Sequence, residues 1–494
     1  FSRPTNRWQE FFNAPQSRRR FLALSSQCLG ALAMMGLPAA VHGAARRLTN
    51  LNADPFTLGI ASGDPTPDAI VLWTRLDREV MAAAGVTAEA VEVRYEIADS
   101  PSFNNIVRSG TVAAPAELGH SAHADVRGLA PDTVYYYRWH AGDATSEVGR
   151  TKTAPAGHSD NQEFRFAFAS CQQYEQGYYT AYEHMAAEEM DLIVHLGDYI
   201  YESSWGRNLV RRHEGPEIIT LQNYRDRYYT YKSDPDLQAA HASAPWVVTW
   251  DDHEVDNNYA ADVPEDDQTP EQLLRRRAAA YQAYVEFMPI RLPVGRQGPD
   301  MPIHRRLRFG RLLDMYVLDT RQYRSDQACG DGRKPSCAEH QDPGRTLLGD
   351  AQKSWLYGNL ETADASWNIL AQQIMMAGLR SRSESGEQLW PMDIWDGYYH
   401  ERRELLQHMS DVRTPNPVVL TGDIHSNWAA DLKLDFDDQS SATVGSEFVC
   451  TSITSGGDGQ DMTDYGAGLL ANNPHVKFYN AQRGYVACTL TPEL

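Results

Sequence analysis

Residues 192–201 have the sequence LIVHLGDYIY, and this stretch decides the fold more than any other. Its apolar first half, up to Leu196, predicts a short buried strand. Asp198 and Tyr201 follow at once, so both side chains leave the carboxyl end of that strand. A carboxylate is a hard oxygen ligand, and a phenolate is a good ligand of ferric iron. The pair therefore indicates a ferric site that performs hydrolysis.

Apolar runs of the same kind recur along the chain and alternate with helical stretches. The other strand candidates are residues 164–170, 246–250, 312–318, 367–372 and 418–421. A helix is predicted over 270–288, because Pro270 stands at its start and apolar residues recur every three to four positions. This alternation predicts an α/β fold, with a layered catalytic domain over residues 160–494.

Residues 50–155 are rich in short alternating strands that are separated by turns. The segments 91–97, 107–112 and 133–139 are the clearest of these. The last of them resembles the late strand of a fibronectin type III-like sandwich. We therefore expect a small all-β domain ahead of the catalytic domain, with a scaffolding role.

The N-terminal residues 1–45 have the features of a twin-arginine signal segment. Residues 17–22, SRRRFL, match the export pattern, and a mildly apolar stretch to residue 37 is followed by small residues. The stretch is too short and too polar for a stable membrane span. We expect a periplasmic or secreted protein that is exported by the Tat machinery.

Composition narrows the class of protein further. The 494 residues are 42% hydrophobic, enough for a large core, and carry a formal net charge of −21. That charge argues against a nucleic-acid-binding module with a basic surface. It is compatible with phosphate substrates, because bound cations can reverse the local sign. Cys329 and Cys337 flank a short loop and are a candidate disulfide in an oxidising compartment.

Five of the predicted strands end in side chains that can bind metal. In chain order these are Cys171, Asp198 with Tyr201, Asp251–Glu254 with Asn257 and Asn258, Asp319 with Arg321, and Asp423 with His425. Ligands collect at the carboxyl ends of strands in an α/β sheet, so we expect these side chains to meet. The residue types alone indicate a ferric ion together with hard divalent cations.

Together these motifs resemble the PhoD-type alkaline phosphatase/phosphodiesterase family, within the calcineurin-like metallophosphoesterase superfamily. The resemblance covers about residues 50–490 and rests on SCQ at 170–172, GDYIYE at 197–202, WDDHE at 250–254, LDTRQYR at 318–324 and GDIH at 422–425. It implies a layered, metallophosphoesterase-type β-sheet sandwich flanked by helices. It also implies hydrolysis of phosphate mono- or diesters.

The resemblance further implies one Fe³⁺ and two Ca²⁺ ions. The iron ligands would be Cys171, Tyr201 and His425, with Asp198 bridging the iron to a neighbouring cation. The remaining donors are nearly all oxygen atoms, which suits Ca²⁺ better than zinc. They belong to Asp252, Asn257 and Asp423.

His253 and Arg321 are the candidate catalytic residues. In the wider superfamily the matching histidine contacts the phosphate or the leaving group; the alternative for His253 is an orienting role behind the metal ligands. Arg321 would neutralise substrate oxygens or, alternatively, form an ion pair within the fold. The roles of Asp251, Asn258 and Gln373 stay open.

We expect an exported alkaline phosphatase with phosphodiesterase activity that uses a metal-activated oxygen as nucleophile. The absence of a Gly-x-Ser-x-Gly elbow weakens a serine-hydrolase interpretation. The alternatives are a phospholipase D-like secreted phosphodiesterase and a noncatalytic, metal-stabilised secreted binding protein. The sequence ends soon after a strand-like segment at 484–488, whereas related proteins usually continue, so we expect either a missing edge strand or covering helix or a short family member.

Overall fold

The structure is a computed structural model that describes residues 45–86, 89–291 and 298–493. The predicted export segment therefore lies outside the described residues, except for Ala45. No helix within the described ranges is long and apolar enough to cross a membrane.

A seven-stranded sheet carries the stretch that decides the fold. In spatial order its strands are β22 (Val486–Leu490), β9 (Phe164–Ala169), β10 (Leu192–His195), β11 (Pro245–Val248), β1 (Ile60–Gly63), β2 (Ala69–Arg75) and β5 (Ser121–Arg127). Strands β9, β10, β11 and β1 are mutually parallel, and the other three are antiparallel to their neighbours. The predicted strand at 192–196 is confirmed, and its carboxyl end lies among other parallel strand ends.

A second seven-stranded sheet packs against the first. In spatial order it contains β12 (Arg305–Phe309), β13 (Leu313–Val317), β15 (Trp367–Ala371), β18 (Pro417–Thr421), β20 (Thr443–Val449), β19 (Asn427–Lys433) and β21 (Val476–Asn480). Phe166, Val194 and Val247 of the first sheet share one buried cluster with Met315 and Ile369 of the second. Burial of these apolar faces against each other is what holds the two sheets together.

Seven of the eight α-helices in the described residues cover the outer faces of the two large sheets, whereas the first packs into the N-terminal β-sandwich. The eight are α1 (Arg78–Ala83), α2 (Thr180–Ala187), α3 (Leu221–Lys232), α4 (Pro235–Ser243), α5 (Pro270–Phe287), α6 (Gly349–Leu360), α7 (Tyr399–Asp411) and α8 (Asp464–Asn472). Helix α5 begins where Pro270 predicts, with Thr269 and Gln272 forming a capping box. The predicted α/β sheet sandwich flanked by helices is therefore confirmed.

The N-terminal region is all-β apart from the short helix α1, and it forms a sandwich. One layer consists of β3 (Val91–Ala98), β4 (Ile106–Ala114), β6 (Val134–Ala141), β7 (Ala144–Thr145) and β8 (Gly149–Lys152). The other layer is formed by β1, β2 and β5, since Ile70 and Leu72 pack with Val93 and Trp139. These three strands also extend the first catalytic sheet, which the sequence analysis did not anticipate.

A further, small sheet has three strands. It contains β14 (Arg333–Lys334), β17 (Gln388–Pro391) and β16 (Ser381–Arg382). The predicted disulfide between Cys329 and Cys337 is present and closes the loop that carries β14.

Candidate metal centre

Three predicted metal ligands meet at the carboxyl ends of β9, β10 and β18. One potential ligand atom from each of Cys171, Asp198 and His425 lies within 4.8 Å of the other two. All three residues have left-handed backbone conformations, with φ of 58°, 57° and 56° respectively. Non-glycine residues adopt this conformation at an energetic cost and cluster at functional sites when they do. The backbone thus turns sharply at each strand end and directs the side chains toward one point.

Tyr201 joins the same group. Its hydroxyl donates to Asp198 Oδ2 at 2.9 Å and lies 3.4 Å from His425 Nε2. Burial raises the pKa of the Tyr201 phenol and of the Cys171 thiol well above their ordinary values. Both groups are therefore neutral when no cation is bound, whereas a cation favours the thiolate and phenolate that bind it.

A second, oxygen-rich group adjoins the first. Carboxylate oxygens of Asp251, Asp252 and Asp423 lie within 4.8 Å of one another, and Asp198 and Asp252 form a similar group with His253. Asp198 Oδ1 is buried and has no hydrogen-bond partner, and the buried Asp252 Oδ1 has only an ion-pair contact with Arg321 at 3.4 Å. A buried carboxylate oxygen without a partner is costly unless a cation neutralises it. This donor set fits the predicted ferric ion and hard divalent cations.

Glu254 organises the loops that carry these carboxylates. Its carboxylate accepts hydrogen bonds from the backbone amides of Asp198 at 3.1 Å and Asp251 at 2.8 Å, and also from that of Tyr199. It thereby ties the loop after β10 to the loop after β11. The sequence analysis noted Glu254 as part of a motif but gave it no role.

Arg321 is fully buried, and carboxylates surround its guanidinium group. Its guanidinium pairs with Asp251, with Asp252 at 3.4 Å, and with Asp393 and Asp423 at 3.2 Å each. Those contacts engage it within the fold and leave no nitrogen directed to substrate. They are the contacts of the ion-pair alternative, and a catalytic role for Arg321 stays a prediction. Asp393, which belongs to no recognisable motif, was missed.

His253 is held next to the predicted ligands by Glu202. Its Nδ1 lies 2.7 Å from Glu202 Oε2, and its ring lies 4.1 Å from that of Tyr201, centroid to centroid. Burial opposes the charged form of His253, but Glu202, Asp252 and Asp198 outweigh it and raise its pKa well above the ordinary value. The imidazole is therefore a potential proton donor, with Nε2 as the nitrogen not engaged by Glu202. Glu202 directly follows Tyr201, and this adjacency was the signal that could have identified it.

The two asparagines differ in their contacts. The amide of Asn257 donates to Glu265, whereas the backbone amide of Asn258 donates to Asp252 Oδ2 at 2.8 Å. The assignment of Asn257 as a ligand stays a prediction.

Gln373 accepts a hydrogen bond from the backbone amide of Thr320 at 3.0 Å, so it supports the loop after β13 from within the fold.

Comparisons with known proteins agree over nearly the whole chain. The family model described as PhoD-like phosphatase matches residues 166–494, and that described as PhoD-like phosphatase, N-terminal domain, matches residues 43–155. The chain is 48% identical over 494 residues to Alkaline phosphatase D of Bacillus subtilis (strain 168), covering 98% of this chain and 84% of that protein. The solved structure of PhoD superposes with a TM-score of 0.87 at 50% identity, covering 90% of this chain and 86% of that chain.

Proposed function

The chain belongs to the PhoD-like phosphatase family, and we propose that it is an exported, metal-dependent phosphoester hydrolase. As a member of that family it is a phosphatase enzyme. The proposal adds one Fe³⁺ and two Ca²⁺ ions, phosphate mono- and diesters as substrates, and a periplasmic or secreted location reached by the twin-arginine route. It divides the chain into a signal segment (1–45), a β-sandwich domain (50–155) and a catalytic domain (160–494).

The observation that carries the proposal is the excess of carboxylates at the strand ends. Within the described ranges, five carboxylates lie there around the guanidinium groups of Arg321 and Arg324, three of them buried and two, those of Asp393 and Asp423, half-buried. The five belong to Asp198, Asp251, Asp252, Asp393 and Asp423. Such a concentration of negative charge at low exposure needs cations.

The chain's own residues divide the work of binding and orienting. Cys171, Asp198, Tyr201 and His425 would hold the iron, and Asp252, Asn257 and Asp423 would hold the calcium ions. When bound, these cations supply Lewis acidity toward the phosphoryl group and activate water for attack. Arg321 balances the charge of the carboxylates and fixes their positions.

His253 is the proposed proton donor. Since Nδ1 is engaged by Glu202, Nε2 would give its proton to the oxygen of the departing alcohol. Although burial opposes the charged form, Glu202, Asp252 and Asp198 raise the pKa of the ring well above its ordinary value, which favours the protonated form. Glu202 fixes the orientation of the ring and stabilises its charge.

Hydrolysis of p-nitrophenyl phosphate and of its bis-ester tests the proposal. We expect both activities to fall after chelation and to return when Ca²⁺ is restored. The ratio of the two rates separates a phosphatase from a phospholipase D-like phosphodiesterase, which would use the same centre. Metal-replete, folded protein that turns over neither ester would contradict the proposal and favour the noncatalytic, metal-stabilised alternative.

A further inference from the structure

The disulfide Cys329–Cys337 closes a loop that the proposed reaction does not use. The loop lies between β13 and α6, outside both large sheets, and carries the two-residue strand β14. Gln327 lies just before the first cysteine and is 7% exposed. The contacts of this loop nevertheless lead to the candidate metal centre from two sides.

On one side, Asp331 of the loop and Gln327 just before it form hydrogen bonds with Asn258. Asp331 Oδ2 accepts from Asn258 Nδ2 at 3.3 Å, and Gln327 Nε2 donates to the Asn258 carbonyl at 2.7 Å. The backbone amide of Asn258 in turn donates to Asp252 Oδ2 at 2.8 Å. A single residue thus separates the loop from a carboxylate of the predicted calcium site.

On the other side the loop and the residues just before it contact the segment around Asp393. Gln327 Nε2 also donates to Asp393 Oδ1 at 2.8 Å. The backbone amide of Met392, next to Asp393, donates to the Gly332 carbonyl at 2.9 Å, and β14 pairs with β17 just before it. Asp393 pairs with Arg321 at 3.2 Å and Arg324 at 2.9 Å, so it takes part in the charge balance of the centre.

The backbone inside the disulfide loop is held in an unfavourable conformation. Cys329, Gly330, Asp331 and Gly332 have φ of 58°, 75°, 60° and 72°. Two of these four consecutive residues are not glycine, and such conformations persist only where the surroundings enforce them. The disulfide is the covalent part of those surroundings, beside the Met392–Gly332 hydrogen bond and the pairing of β14 with β17.

We propose that the Cys329–Cys337 disulfide is a positioning device for the calcium site. It locks the loop so that Asp331, inside the loop, and Gln327, two residues before it, hold Asn258, and Asn258 holds Asp252, in the geometry that binds the cation. Groups behind metal ligands commonly change metal affinity by about 10- to 100-fold when they are removed. The inference rests on the proposed function, in which Asp252 is a calcium ligand.

The test compares the full-length, iron-loaded protein with its Cys329→Ser/Cys337→Ser variant. Calcium affinity is measured by titration calorimetry after calcium depletion, and hydrolysis is followed as a function of free Ca²⁺. We expect calcium to bind about tenfold more weakly in the variant, and saturating Ca²⁺ to restore its turnover. Cys488→Ser is the matched control, since Cys488 is a free thiol, and should leave the affinity unchanged.

A second variant keeps the disulfide and breaks only the hydrogen bonds. Gln327→Leu has a similar volume and should weaken calcium binding in the same direction, with a thermal transition close to that of the wild type. It decides the matter if the double serine variant does not fold. Wild-type calcium affinity in the folded variants would overturn this inference but leave the proposed function standing. A wild-type protein that binds no Ca²⁺ would contradict the proposed function and, with it, the inference.

Discussion

Two buried carboxylate oxygens, Asp198 Oδ1 and Asp252 Oδ1, stand out at the level of single residues because neither has a hydrogen-bond partner, and Asp252 Oδ1 has only the ion-pair contact with Arg321 at 3.4 Å. A cation that binds between them would relieve the cost of that burial. In the same neighbourhood Glu202 and Asp252 outweigh burial and raise the pKa of His253 above its ordinary value. Asp252 is therefore expected to affect metal affinity, and His253 to affect proton transfer.

Removal of the charge at Asp252 should weaken calcium binding. Asp252→Asn keeps the size of the side chain but removes the negative charge of a predicted calcium ligand. We therefore expect at least tenfold weaker calcium affinity and a matching loss of hydrolysis at limiting Ca²⁺. Calcium titration of the iron-loaded protein measures this. Asp350→Asn, at an exposed position on α6, is the control and should behave as wild type. Equal affinity in both variants would exclude Asp252 as a ligand.

Loss of the proton donor should depend on the leaving group. His253→Asn should lower kcat for an alkyl phosphate by about 100-fold or more, because the alkoxide needs a proton as it departs. The loss should be much smaller for p-nitrophenyl phosphate, whose phenolate leaves unaided. Inhibition of the His253→Asn variant by inorganic phosphate checks that the variant still binds the phosphoryl group. An equal loss for both esters would favour an orienting role for His253.

At the scale of elements, a buried ion cluster joins helix α7 to the segment beside β16. Asp396 pairs at 2.7 Å with Arg402 of α7 and with Arg380. Its carboxylate also accepts a hydrogen bond from the backbone amide of Leu379 at 2.7 Å. Burial opposes ionisation of Asp396, but the two guanidinium groups prevail and lower its pKa to about 2. Removal of the carboxylate would leave buried cations without a partner, which is strongly destabilising.

Asp396→Asn should lower the free energy of unfolding at pH 7 by about 3–5 kcal/mol. Because the pKa of about 2 lies below the ordinary value of 3.8, the stabilisation is present above that value and is lost as the pH falls through the folded-state pKa. The difference between variant and wild type should therefore shrink between pH 4 and pH 2. Urea denaturation at several pH values measures it, with Asp411→Asn, exposed on α7, as control. A pH-independent difference would contradict this account.

At the scale of the whole molecule, the N-terminal sandwich and the catalytic layers share a sheet. Strand β1 pairs with β11, and the buried Trp73 of β2 donates to the Glu286 carbonyl of α5 at 2.9 Å. Arg75 also pairs with the Glu286 side chain at 3.2 Å. Cutting the chain between the two regions would expose a parallel strand edge and apolar surface on both parts.

We therefore expect fragments 45–155 and 156–493 to be unable to fold separately. Each alone should lack a cooperative thermal transition, whereas the two expressed together should associate and recover phosphatase activity. Circular dichroism and size-exclusion chromatography measure this. A cooperative transition in the isolated 45–155 fragment would show that the predicted β-sandwich domain is an independent folding unit.

The sequence by itself determined the elements and the ends of the strands that carry the site. The apolar run at 192–196 and the start of α5 at Pro270 were predicted closely, because strand and helix signals are local in the chain. Parallel strands bring their carboxyl ends to one edge, so Cys171, Asp198 and His425 could also be expected to meet. The contacts of Arg321 with four carboxylates and the hydrogen bonds by which Glu254 ties two loops together became visible only in the tertiary structure. The tertiary structure also decided that β1, β2 and β5 extend the catalytic sheet, since such pairings depend on contacts between residues distant in sequence.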